Sequence, residues 1–111
     1  MIVWQEAYKL CLVIYRITSD FPTYERFGLT SQMRRSSSSV PINIAEGNVK
    51  KTIPDKIRFF DIAAASLEEL HCEARLSTDL EYMSKDKFEQ IDKGIHRVSF
   101  LLTRLRSALS Q

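Results

Sequence analysis

Apolar residues recur in this chain at helical spacing from its first turn. Val3, Ala7, Leu10, Ile14, Ile17 and Phe21 step by four and three, which is one stripe of a helix. Trp4, Tyr8, Cys11 and Tyr15 widen that stripe beyond what one neighbouring helix needs, so this face is expected to meet two helices or another subunit. The pattern predicts a first helix from Ile2 to Ser19, closed by Asp20-Phe21-Pro22 because residues before proline avoid helical angles. A long third segment, Ile53 to Leu80, carries Phe60, Ala63, Leu67, Leu70 and Ala74 on one stripe, flanked by Ile57, Ala64 and His71. The last segment, Lys85 to Leu109, has the most regular spacing: Phe88, Ile91, Ile95, Val98, Leu102, Leu105 and Leu109 alternate threes and fours without a break.

The second segment, from about Leu29 to Glu46, is less ordinary. Leu29, Met33, Val40 and Ile44 share a stripe, yet Pro41 stands inside it. Proline has no N–H for the carbonyl of Ser37, its ring crowds that turn, and it biases Val40 away from helical angles. Either the helix continues with a kink, or one helix ends near Ser39 and another begins at Pro41. The apolar stripe keeps its phase and Val40 is a poor N-cap, which favours the kinked helix. Gly47-Asn48 is expected to stop it in a left-handed turn. Thr52 then caps the third helix, with Pro54 and Asp55 in its first turn, and Ser84 caps the fourth, with Met83 and Phe88 as a hydrophobic staple. Four helices with short connections predict an all-α, up-down-up-down antiparallel four-helix bundle with a proline-kinked second helix, in a single domain spanning 1–111.

Bulk composition adds limits. At 111 residues, 44% hydrophobic and 27% charged, the chain has the profile of a soluble domain with a core of its own. No apolar run is long enough for a membrane span. The first residues place Trp4, Glu6 and Lys9 in an amphipathic pattern, so no secretory signal is expected. Cys11 and Cys72 fall in helical apolar patterns and read as reduced core or near-core thiols, with a disulfide as the alternative. Net charge is only +2, but it is unevenly spread. Residues 34–58 carry six bases and two acids, residues 59–84 one base and six acids, and residues 85–111 six bases and three acids. A basic face can therefore exist despite the modest total.

Few residues suggest chemistry. Glu68 and His71 have the Glu-x-x-His spacing of di-iron bundles, but such sites need a second pair and two further glutamates. Glu68, Glu69 and Glu73 with His71 therefore read as a solvated acidic face, and a metal-dependent enzyme is a remote alternative. The serines at 36–39 have no glycine elbow, and the chain has no phosphate-binding glycine loop. No catalytic residue, metal or cofactor is expected. The cations remain: Arg34, Arg35, Lys50, Lys51, Lys56 and Arg58 in the middle of the chain, and Lys93, Arg97 and Arg104 on one stripe of the last helix, all candidates for contacting phosphates. Asn43 and Glu46 stand three apart beside the proline; they bind loosened backbone there or meet a partner.

Phe27-Gly28-Leu29-Thr30-Ser31-Gln32-Met33-Arg34-Arg35 followed by Ser39-Val40-Pro41-Ile42-Asn43-Ile44-Ala45-Glu46-Gly47 resembles the signature of the four-helix-bundle proteins named after intervening sequences in bacterial 23S rRNA genes. Val3-Trp4-Gln5-Glu6-Ala7 and Ala65-Ser66-Leu67-Glu68-Glu69-Leu70 fit the same pattern, while Ser36 and Ser37 replace small apolar residues usual there. The resemblance implies a bacterial, cytoplasmic helical bundle that forms a homopentamer and has no established enzymatic activity. It also implies kinship with the accessory protein of diversity-generating retroelements, which works beside a reverse transcriptase and binds nucleic acid. The combined expectation is a non-enzymatic homo-oligomer, with Trp4, Tyr8, Cys11, Tyr15, Pro41, Asn43 and Glu46 at its interface, that binds RNA or DNA or a nucleic-acid enzyme such as a reverse transcriptase. The rival is a protein-binding scaffold without nucleic acid.

Overall fold

A computed structural model describes residues 1–109. Four α-helices account for most of them: α1 (Ile2–Thr18), α2 (Leu29–Val49), α3 (Ile53–Asp79) and α4 (Lys85–Leu109), with a short 3-10 turn at Thr23–Glu25 and no strand among the described residues. Each helix packs on its sequence neighbour, α1 also packs on α4, and the backbones of the diagonal pairs stay farther apart across the shared core. Side-chain pairs fix the directions. Ser77, Glu73 and Ser66 of α3 meet Met33, Ser36 and Ser39 of α2 in reverse order. Asp61 and His71 of α3 meet Arg106 and Asp92 of α4, while Glu6 of α1 and Asp20, just past its end, meet Arg97 and Lys87 of α4. Neighbours are therefore antiparallel, up-down-up-down. The 27 residues of α3 span about 40 Å at 1.5 Å each, close to the 44 Å long axis of the molecule.

The core is built from the stripes legible in the sequence. Ala7, Ile14, Met33, Ile44, Ala63, Leu70, Ala74, Ile91 and Val98 have no exposed surface. The caps also form: Thr52 Oγ1 accepts from the Asp55 amide at 3.3 Å, and Ser84 Oγ from the Lys87 amide at 3.2 Å. At the start of α2, Glu25 does the capping from outside the helix, its carboxylate accepting from the Leu29 amide and from the Tyr82 hydroxyl.

α2 runs through Pro41 as one helix, the alternative the apolar stripe favours. Three features depart from the sequence reading. α2 ends at Val49, three residues past Glu46. Gly47 is not a left-handed stop, since no glycine has positive φ. Its role is close approach: a Cβ there would lie 2.6 Å from Cε1 of Phe60. The helix stops instead where Lys50 turns extended, and Lys56 Nζ donates to the carbonyls of Gly47 and Asn48, placing a cation at the helix C-terminus. The left-handed residue falls at Glu81, with φ 66°. There the amides of Glu81 and Tyr82 close back on Thr78 and Ser77, the pattern of a Schellman stop without its usual glycine.

Candidate functional site

The candidate cations separate into those held by the fold and those left outward. Arg34 is held. Its Nε donates to Thr18 Oγ1 at 2.9 Å, Nη2 donates to the Tyr15 carbonyl at 3.2 Å, and the guanidinium lies 4.9 Å from the Tyr15 ring centre. Thr18 can accept because its own proton goes to the Ile14 carbonyl. Lys56 is occupied capping α2, and Arg97 bonds Glu6 at 3.3 Å, holding that carboxyl below the usual glutamate range. Lys93 and Arg104 lie exposed on α4, Arg104 over the Phe100 ring. Arg35 is exposed on α2, near enough to Glu73 for its charge to act on that carboxyl.

The α2–α3 turn brings the rest together. Lys50 Nζ lies 4.9 Å and Arg58 Cζ 4.7 Å from the centre of the Phe59 ring, and Lys51 is exposed beside them. Phe59 is half-buried while Phe60 is in the core, because adjacent residues point about 100° apart on a helix. Phe59 was not among the candidates; a Lys-Lys turn followed by Arg-Phe-Phe was the signal.

A second surface lies across α1 and α2. Trp4 and Tyr8 stack at 5.1 Å between ring centres, and with Cys11, Pro41, Ile42 and Ala45 they line an open apolar groove of about 290 Å³. Tyr15 and Leu12 continue the exposed apolar strip along α1. Pro41 is buried within it. Asn43 belongs to the other flank of α2, where its amide donates to the carbonyl and hydroxyl of Ser39, and Glu46 is exposed.

Between α2 and α3 the fold buries polar groups, which corrects the expected acidic face. Glu68 and Glu69 are exposed, but Glu73 is buried and accepts from Ser36 Oγ at 2.6 Å. Burial pushes its carboxyl above the usual range and the Ser36 hydroxyl pulls it partly back. Ser37 donates to the Arg34 carbonyl and approaches Cys11 Sγ at 3.7 Å, while Ser77 donates to Met33 Sδ. Asn43 donates to Ser39, which donates to Ser66, whose proton goes to the Ile62 carbonyl. Ser36, Ser39, Asn43 and Ser66 border a polar groove of about 440 Å³ that also includes Arg35, Ser38 and Glu69.

The remaining reactive groups are dispersed. His71 faces Asp92 of α4 at 3.3 Å, and His96 meets the same carboxylate at 3.4 Å. Among the described residues no group of three or more His, Cys, Asp and Glu could hold a metal ion. Both cysteines are free. Cys72 is exposed rather than near the core, and burial pushes the Cys11 thiol up, away from a reactive thiolate. No helix among the described residues is long and apolar enough to cross a membrane.

The architecture defines an all-α four-helix bundle with a cationic turn and an apolar flank. Residues 1–104 match the family described as 23S rRNA-intervening sequence protein, and the chain belongs to that family. It is similar in fold to a protein of unknown function from the S23 ribosomal protein family of Bacteroides thetaiotaomicron. That likeness has a TM-score of 0.84 at 21% identity, over 94% of this chain and 97% of that one. No curated protein matches the chain.

Proposed function

We propose that this protein is a non-enzymatic module that assembles with copies of itself along the α1–α2 groove and binds nucleic acid, or a nucleic-acid enzyme, through its cations. The observation that carries the reading is the α2–α3 turn. Lys50, Lys51 and Arg58 have no carboxylate at ion-pair distance among the described residues, whereas Arg97 and Lys87 each have one. Clustered cations that are not paired with acids are what phosphate binding requires, since each neutralised phosphate releases counterions. Assembly would repeat the turn on every copy, and avidity makes a weak patch effective.

Anisotropy of labelled structured RNA and duplex DNA at low salt tests the binding. Saturable binding that weakens as salt rises, and that falls in a Lys50→Ala, Lys51→Ala, Arg58→Ala triple variant, is expected; no binding at low salt removes the reading. Light scattering tests assembly, and a mass of 12.9 kDa at high concentration counts against it. The exposed stacked rings of Trp4 and Tyr8 favour a second reading, a scaffold for proteins alone. A pull-down that retrieves protein and no nucleic acid would select it.

A further inference from the structure

We infer that the turn end of the α2–α3 groove is a site for single-stranded nucleic acid, with Phe59 as the stacking platform and Lys50 and Arg58 as the phosphate contacts. The inference rests on the nucleic-acid reading above and narrows it. Phe59 keeps part of its ring outside the core, and both cations sit over it at 4.9 and 4.7 Å. The ring's negative face holds them there without cancelling their charge, as a carboxylate would. A base can lie against Phe59 or against the plane of the Arg58 guanidinium, while the same cations take the adjoining phosphates.

The polar groove lies farther along the same pair of helices. Ser66 follows Phe59 by seven residues, and Asn43 precedes Lys50 by seven. Seven residues are close to two turns, so Phe59 and Ser66 stay on one face of α3, about 10 Å apart along it, while Lys50 stands at the end of the helix that carries Asn43. Ser39, Ser66 and Asn43 line the stretch about two turns beyond Phe59; their protons are spent within the protein, and the Asn43 side-chain carbonyl oxygen is left as an acceptor for a base edge or sugar hydroxyl. Glu69 lies ten residues from Phe59, about 15 Å along α3, and the exposed Glu46 lies four residues before Lys50; neither is at ion-pair distance from Lys50 or Arg58. A duplex would leave this arrangement largely idle, because its base faces are stacked on each other and it offers mainly phosphates here.

The test is anisotropy at low salt with labelled oligo-dT and oligo-U and a duplex of equal length, using the full chain. Expected is preference for both single strands over duplex. Phe59→Leu should weaken single-strand binding by roughly tenfold and leave the duplex within about twofold, while Phe59→Trp, which keeps a ring, retains binding. Equal binding of strand and duplex, indifference to Phe59→Leu, or loss in Phe59→Trp overturns the single-strand site while the nucleic-acid reading stands. Displacement by polyglutamate as effective as by poly-U would mark an acidic-polymer surface and overturn it too. No binding of any nucleic acid removes both.

Discussion

The hydrogen bond from Ser36 to Glu73 makes a demanding prediction, because it is buried, short and bears on a charge. Ser36 Oγ is 2.6 Å from the Glu73 carboxylate, and the two residues are only 3% and 8% exposed. Ser36→Ala removes the donor and gives the carboxylate no water in exchange. Hydrogen bonds to charged groups contribute about 1.5–3 kcal/mol, so a loss of about 2 kcal/mol at pH 7 is expected. For a chain of this length that is roughly 8 °C in Tm. The pH dependence follows from the raised carboxyl. The folded state binds this proton more readily than the unfolded chain, so Glu73 destabilises at neutral pH. That penalty is relieved as pH falls through its raised folded value toward the ordinary 4.5. Ser36→Ala raises the folded value further, so its penalty should be complete at pH 7 and shrink to about 1 kcal/mol once Glu73 is neutral. Urea titrations from pH 7 to pH 4.5 measure this, with Ser38→Ala as a control whose hydroxyl donates only to the exposed Arg35 carbonyl. A penalty below about 0.5 kcal/mol at pH 7, no larger than an ordinary surface change, or one that grows on acidification, would refute the account.

Three further outcomes are expected. Arg34→Ala should lower stability by about 1–2 kcal/mol through lost hydrogen bonds to Thr18 and Tyr15, with nucleic-acid affinity changed less than twofold; a large affinity loss at unchanged Tm would show that the guanidinium acts outward. Gly47→Ala should destabilise by about 1–3 kcal/mol, because the new Cβ meets Phe60 and the Lys56 carbonyl at 3.2 Å is backbone; an unchanged melting curve would mean that α2 and α3 separate easily. Trp4→Ala should weaken self-association by tenfold or more, about 1.4 kcal/mol or above, in sedimentation experiments, while Tm at low concentration shifts little because the ring is outside the core; unchanged association would place the interface elsewhere.

The bundle was legible because its signal is periodic. Each core stripe has four to seven members, and a repeated spacing survives local exceptions. Pro41 is such an exception: the phase of Leu29, Met33, Val40 and Ile44 carried across it, and α2 is one helix. Single-residue features were less legible, because their meaning depends on what another helix places opposite. Gly47 reads as a stop from its own neighbours and is a contact point only because Phe60 arrives from α3. Glu81 adopts the left-handed turn with no glycine to announce it. Glu73 sits among acids in the sequence and is buried because Ser36 faces it across the helix pair. Serine at 36 and glutamate at 73 form one feature divided between two helices, thirty-seven residues apart, and neither is informative alone. The same logic governs the cations. Nine bases looked equivalent along the chain, yet Arg34 is committed to α1, Lys56 to the end of α2, and Arg97 to Glu6. At the α2–α3 turn, by contrast, the helix-to-helix geometry leaves Lys50 and Arg58 facing only a ring. Charge in the sequence counts cations; only packing decides which of them remain available to a phosphate.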